Sequence, residues 1–400
     1  MTDFILPFPA TRREALTRLG DFIPSAGQRY ATGRNTDAGP DGRSAVSRLS
    51  PYVRYRLITE QEIVAQVLGR HSFADAEKYV QEVLWRTYWK GWLEMRPGVW
   101  ARYVEELGRQ HQSFRGGRAL AAAEAGTTGI DGFDDWAREL VETGYLHNHA
   151  RMWFASIWIF TLRLPWAMGA DFFLRQLLDG DAASNTLSWR WVAGLQTVGK
   201  TYLATADNVE RYTEGRFRPV GLATEAVALT ELPIEAARTL PAPGPVDTGT
   251  PALLLVTHDD LHPETVMLTG LQTTGALVAN DAALLWGDNA RAFVGAAAED
   301  TASRVEELFG CPAKLSDTLY ATSLVAAAQA AGVRQIVTPY APVGPVADRL
   351  AALAPELTRE GIALIQIRRQ WDEQFWPHAK KGFFPFRERI PALLREEGLQ

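Results

Sequence analysis

The chain has 400 residues, a formal net charge of −6 and a single cysteine, Cys311. That balance excludes a general cationic field for nucleic acid or anionic membrane, and one cysteine excludes an internal disulfide framework and any Cys₃ or Cys₄ metal or iron–sulfur site. No long apolar run and no basic-then-apolar amino-terminal layout occurs, so the reading is of a soluble, cytoplasmic chain with no membrane partner, long enough for two or three cores.

Helical periodicity runs from residue 8 to about residue 235 and predicts helices over 12–22, 60–68, 76–93, 136–142, 149–162 and 172–178. Residues 239–251, TLPAPGPVDTGTP, are a linker by composition. Short apolar runs follow at 252–256, 282–286, 335–337 and 362–367, with helices expected over 317–331 and 345–360. Strands alternating with helices indicate a parallel sheet. The expected fold class is therefore α + α/β: an all-helical domain (1–238), a linker (239–251) and a Rossmann-like α/β domain (252–400). Residues 1–240 hold 28 basic and 28 acidic side chains, so the acidic excess lies in the last part. No G-x-G-x-x-G or GKS-type loop occurs there, and a nucleotide-hydrolysing site has no support.

The most informative stretch is 143–208, where TGYLHNHARMWFASIW, LLDGDAASNTLSWRW and KTYLATADN set charged, amide and indole groups on apolar helices. Asn148, Arg151 and Met152 share a helix face by their i, i+3 and i+4 spacing, and Asp181 and Asn185 are again i, i+4, with Asp179 just before. Glu82, Trp85, Arg86 and Trp89 line one side of an earlier helix. Buried charges need partners. An Arg–Asp pair between helices would satisfy them, and so would a polar-lined ligand pocket. Three segments with the same habit favour the pocket.

Several motifs in order, FPATRREALTRLGDFI, RYATGRN, SAVSRLSPYVRYRLIT, EVLWRTYW and then 143–208, resemble the FAD-binding domain of the photolyase/cryptochrome family over about residues 8–216. The resemblance implies FAD as cofactor. It assigns Tyr30, Ser47, Leu49 and Ser50 to its phosphates and adenosine side, Arg86 and Arg151 to the flavin and diphosphate, and Asp179 and Asp181 to the isoalloxazine and ribose. Arg151 and Asp179 would pair. Asn185 matches the residue facing flavin N5, with a helix cap as its plain alternative. Asn148 lies on the same wall and also in the lesion pocket, where Glu82, Trp85, Met152 and Trp191 match residues that receive a flipped pyrimidine dimer. The (6-4) branch carries histidines where this chain has Asn148 and Met152, so the pocket resembles the cyclobutane-dimer class. His149 should point off that helix face.

Departures from the family are equally specific. Trp189 and Trp166 match the first two members of its tryptophan chain, but the third position falls near Ser113 and Phe114, leaving Trp153 or Trp158 as possible outer members. An arginine that touches the lesion strand is replaced by Ala204, and Arg211, Arg216 and Arg218 are candidates for a local phosphate patch. The segments ALLLVTHDDLHPETVML, VRQIVTPYAPVGPVADRLAALAPELTREGI and GFFPFRERIPALL resemble the family's antenna domain. That domain normally comes first, so the chain looks circularly permuted. Asp259-Asp260 is an acidic turn pair where the family carries arginine and aspartate, which argues against the usual antenna pigment. The resemblance implies light-driven repair of cyclobutane pyrimidine dimers in damaged DNA. The alternative is a blue-light photoreceptor acting through flavin photoreduction and a signalling protein partner.

Overall fold

The computed structural model describes residues 8–400 apart from 41, 43, 243, 245 and 267–269. Residues 1–7, Pro243 and Pro245 of the expected linker, and Met267 and Leu268 after the expected first strand lie outside the described residues.

The amino-terminal part is helical. Its helices are α1 (Arg12–Phe22), α2 (Gln28–Gly33), α3 (Ser50–Arg54), α4 (Glu60–Leu68), α5 (Phe73–Glu94), α6 (Gly98–Ser113), α7 (Gly117–Ala125), α8 (Phe133–Thr143), α9 (Asn148–Ser156), α10 (Trp166–Gln176), α11 (Ser184–Val192) and α12 (Ala206–Tyr212). Side-chain caps fix several starts. Thr11 accepts from the Glu14 amide at 3.1 Å, Thr59 and Glu62 form a reciprocal capping box, and Ser72 accepts from the Asp75 amide at 3.2 Å. Accordingly α1 and α4 have the bounds that periodicity predicts. The helix expected over 149–162 is α9 followed by one π-type turn, Ile157–Thr161. The helix expected over 172–178 starts earlier, at Trp166 just after Pro165.

From 213 to 251 the described residues hold no helix or strand. Part of this strap lies along the helical core: the Leu229 amide donates to Ala193 O at 3.0 Å and the Arg238 amide to Met95 O at 3.0 Å, while Arg190 pairs with Glu231. Strands β1 (Ala252–Thr257), β2 (Thr273–Ala279), β3 (Ala313–Ser316), β4 (Gln335–Pro339) and β5 (Ala363–Ile367) then form a sheet in the order β3-β2-β1-β4-β5, every pair parallel. Between and after them come α13 (Asp288–Phe309), α14 (Ala321–Ala330), α15 (Pro345–Arg359), α16 (Gln370–Phe375), α17 (Phe383–Arg387) and α18 (Ile390–Glu396). Parallel neighbours need crossovers, and growth outward from β1 in both directions covers both faces. Leu254, Val256, Ala276 and Val278 face α13 and the helical core, whereas Leu253, Leu255, Leu277 and Ala279 face α14 and α15.

Two sequence expectations fail here. The run 282–286 is a short 3₁₀ turn, because the Asp281 carboxylate accepts from the Ala283 amide at 3.0 Å and from Leu319 N at 3.0 Å. The strand belonging to that region is β2, whose leading Thr-Thr-Gly gave no apolar run. The helix expected from 317 begins at Ala321. Among the described residues, no helix is long and apolar enough to cross a membrane.

Buried charge ties the two parts together. Arg54 donates from Nε to Gly180 O and from Nη1 to Asp259, each at 2.8 Å. Arg56 reaches Asp260 at 3.1 Å and Asp372 at 2.7 Å, and Arg369 closes on Asp260 at 2.7 Å. Asp259 and Asp260 follow β1 at a turn, as expected, and there they are buried anchors for arginines of the helical part. Burial alone would raise the Asp260 carboxyl, but Arg369 and Arg56 hold it down at about 2. Arg56 keeps a left-handed backbone (φ 53°) to make these contacts, a strain of about 1–3 kcal/mol. Glu94 accepts from Tyr340 Oη at 2.8 Å, Trp371 donates to Thr87 at 3.2 Å, and Gly91 lets α5 touch Trp376 so closely that a Cβ there would lie 2.8 Å from Trp376 Cα.

Replacing Arg56 with methionine strands Asp372 and Glu60 without their shared cation. Denaturant unfolding of Arg56→Met is expected to show a loss of about 3–5 kcal/mol, part of which returns in the Arg56→Met/Asp372→Leu double variant.

Candidate functional site

A cavity of about 570 Å³ opens in the helical cage, bounded by α2, the turn before α3, α5, α9 and α11. That size suits a cofactor or other small molecule. Four guanidinium groups, Arg34, Arg48, Arg86 and Arg151, stand on its wall against the carboxylates of Glu82 and Asp179, with Asp181 behind Arg86. Arg151 Nη1 lies 3.0 Å from Asp179 Oδ1, Arg86 pairs with Asp181 and sits 3.8 Å from Asp179, and Arg34 Nη1 lies 3.3 Å from Glu82. Burial would raise both aspartates. Arg151 and Arg86 instead hold Asp179 below the usual carboxylate range, and Arg86, Arg54, Lys90 and the Ser184 hydroxyl hold Asp181 at about 2. Glu82 goes the other way: burial pushes its carboxyl up and Arg34 offsets only part of that.

Local structure explains these positions. Asp181 accepts from the Ala183 and Ser184 amides at 2.8 and 2.7 Å, so it nucleates α11 while facing Arg86. Asn185, one turn on, donates Nδ2 to Ala170 O at 2.9 Å. Its amide is thereby fixed, and Oδ1 is left as the group available to a donor in the cavity.

Of the residues singled out for cofactor binding, Tyr30, Ser47, Leu49, Ser50, Arg86, Asn148, Arg151, Asp179 and Asn185 all border this one cavity; Asp181 reaches it through Arg86. Glu82, Trp85, Met152, Trp189 and Trp191 border it as well, and Trp166 does not. Trp85 is stacked by Phe383 of α17 at 3.6 Å between ring centroids, and Trp191 is stacked on Tyr202 at 5.6 Å. His149, expected to point away, does reach the wall, with Nδ1 2.6 Å from Asn35 O. Trp153 and Trp158 have no exposed surface, so neither can end a relay at solvent. Arg216 pairs with Asp37, Arg218 with Glu210 and Asp207, and Arg211 lies over the Tyr212 ring, so the suggested phosphate patch is largely neutralised. Sequence reasoning missed Arg34, Arg48 and Phe384 on the wall. Arg34 sat in the quoted RYATGRN, yet nothing in its spacing pointed to Glu82. Phe384 arrives from some 300 residues away, and no local pattern could place it.

The lining fits FAD. Its positive excess suits a diphosphate, the small hydroxyls of Ser47 and Ser50 stand beside the start of α3, and the fixed Asn185 amide offers an acceptor. A helical cage of this kind is suited to holding a dinucleotide cofactor such as a flavin. Residues 79–214 match the family model described as the FAD binding domain of DNA photolyase. The chain is 34% identical over 170 residues to a deoxyribodipyrimidine photo-lyase from Streptomyces griseus, covering 42% of this chain and 35% of that protein. It is 34% identical over 226 residues to one from Thermus thermophilus, covering 53% and 50%. A solved bacterial class III photolyase from Agrobacterium tumefaciens is similar at 29% identity and a TM-score of 0.43, covering 50% of this chain and 42% of that one. The helical part is thus similar to the FAD-binding domain of the photolyase/cryptochrome family, and its lining suits FAD as the cofactor. The chain spans half or less of the length of these two curated relatives.

Asp181 gives a pH-dependent prediction. Its folded pKa of about 2 lies below the ordinary 3.8, so its contribution is fully present above the ordinary value and is lost as pH falls through about 2. Asp181→Asn should therefore lose about 2 kcal/mol of stability at neutral pH and less near pH 2. Melting curves between pH 2 and 7 check this, and flavin absorbance should show weaker FAD retention in the variant.

Proposed function

We propose that this protein uses light to drive electron transfer for the repair of cyclobutane pyrimidine dimers in DNA. The observation that carries the reading is one continuous cavity: Glu82, Trp85, Asn148, Met152 and Trp191 border the same space as Arg86, Arg151, Asp179 and Asn185. Bound FAD, when reduced, supplies the electron. The protein's own groups hold the substrate. The partly buried Glu82 carboxyl, raised by its surroundings, and the Asn148 amide offer hydrogen bonds to a flipped pyrimidine dimer, while Trp85 and Trp191 offer aromatic faces. Trp191 is 36% exposed, which suits a group that meets a ligand arriving from outside. Asn148 and Met152 provide no proton donor at neutral pH, in keeping with a dimer whose splitting requires none. Names of the curated relatives, deoxyribodipyrimidine photo-lyases, support the same substrate class.

The residue roles proposed from the family resemblance fit this arrangement: Tyr30, Ser47, Leu49, Ser50 and Asp181 on the FAD side, and Trp189 and Trp166 in electron supply. We also propose a division into a helical FAD-binding domain (1–238), a linker (239–251) and a Rossmann-like antenna-type domain (252–400) in permuted order. The parallel order β3-β2-β1-β4-β5 supports the Rossmann-like reading of the last of these. The location proposed is the cytoplasm.

A second reading, a blue-light photoreceptor with a protein partner, draws on the same cavity. It is favoured by the pairing of Arg216 and Arg218 with carboxylates and by Ala204, buried at 2% exposure where an arginine would reach a DNA strand.

Illumination of the reduced protein with a thymine-dimer oligonucleotide separates the two. Repair is expected to restore intact thymines, and Glu82→Gln should slow it about tenfold, the worth of one hydrogen bond, without loss of flavin. Dimers that persist under light while a repair-competent photolyase removes them would favour the photoreceptor.

A further inference from the structure

Electron supply to the cavity has an outer end that the family resemblance does not provide, since the third tryptophan position falls at Ser113 and Phe114. Of the indoles that border the cavity, the one that matches the inner member of the family's chain is Trp189, 2% exposed. One ring neighbour of Trp189 is Trp158, at 6.2 Å; it has no exposed surface and so is not the outer end, and its Nε1 donates to Pro165 O at 3.0 Å, beside Trp166. The edge of the Trp189 ring lies against Gly169, so close that a Cβ there would come within 2.4 Å of it and within 2.8 Å of Trp158 Nε1. Gly169 is one turn along α10 from Trp166. Beyond Trp166 the rings continue in contact: Trp166–Tyr103 at 5.7 Å, Tyr103–Trp100 at 5.3 Å and Trp100–Trp286 at 6.1 Å between centroids. Trp286 is partly exposed and lies between β2 and α13, in the sheet-bearing part.

We infer that Trp189, Trp166, Tyr103, Trp100 and Trp286 form a one-electron relay that crosses from the helical part into the sheet-bearing part, with Trp286 as its outer donor. Each step moves one electron inward from ring to ring, and no bond forms or breaks. The electron ends on light-excited, oxidised FAD. Trp286, left one electron short, sheds its indole proton to water and is restored by a thiol, which returns one electron and one proton and becomes a thiyl radical; two thiyl radicals then join as a disulfide. Tyr103 serves as a bridge. Its buried hydroxyl has no hydrogen-bond partner among the described residues, so none of them is placed to take the proton that a tyrosine must lose on oxidation. Trp100 and Trp286 are therefore the rings on which the radical rests. The inference rests on the FAD reading of the cavity and not on repair, and it is tested without DNA.

The protein with oxidised FAD bound is illuminated with dithiothreitol, and flavin reduction is followed alongside transient absorption and electron paramagnetic resonance. The wild type is expected to give a tryptophanyl radical and no tyrosyl radical. Trp286→Phe and Trp100→Phe should each lower the photoreduction rate by about tenfold or more with FAD content unchanged, whereas Trp158→Phe stays within about twofold of wild type. Trp286 is partly exposed, so its variant stays informative even where Trp100→Phe folds poorly. Wild-type photoreduction in Trp286→Phe, or its loss in Trp158→Phe, overturns the relay, as does a tyrosyl signal. Failure of dimer repair with this pattern intact would leave it standing.

Discussion

Arg54 and Arg56 are the constraint on which the rest of the molecule depends. They follow one another, with a single tyrosine between them, at the end of a five-residue helix, and both side chains are almost wholly withdrawn from water. A buried guanidinium is tolerable only with carboxylates in good geometry, and here those carboxylates come from the turn after β1 and from α16. Arg54 does something further. Its Nε holds the carbonyl of Gly180, the residue between Asp179 and Asp181. The group that anchors the sheet-bearing part thus also fixes the loop that presents two carboxylates to the cavity arginines. Sheet, loop and cavity wall share one electrostatic skeleton.

The same economy of charge explains the quiet exterior. With basic and acidic groups balanced over residues 1–240, most arginines here are committed inside ion pairs: Arg190 to Glu231, Arg175 to Asp171 and Glu124, Arg216 to Asp37. What positive excess there is faces inward, on the cavity wall. A ligand with a diphosphate is attracted to that interior more than a polyanion is to the outside.

How much of this was readable in the sequence varies with how local the cause is. The bounds of α1 and α4 were legible because Thr11, Thr59 and Glu62 lie beside the apolar rows they cap. The shared face of Asn148, Arg151 and Met152 was legible because helix spacing alone sets it. By contrast, 282–286 reads as a strand by composition, and two of the groups that engage Asp281, the Leu319 amide and Arg349, are distant in the chain. The depth of Trp153 and Trp158 was equally hidden, since an indole on an apolar helix looks alike whether it is central or at the rim. Pairing of Arg54 with Asp259 joins residues about 200 positions apart, and no periodicity carries that information. Their charges signalled a need for partners without naming them.

The tight seam at Gly91 has a genetic consequence. Helix α5 runs 22 residues, roughly 33 Å of rigid rod, with Glu82, Trp85, Arg86 and Trp89 on the cavity and Gly91 pressed on Trp376 near its far end. A side chain at position 91 would push the rod from behind and move every one of those four groups at once. A screen for variants with altered cavity binding would therefore recover changes at a glycine that touches nothing inside the cavity, and at the tryptophan it leans on.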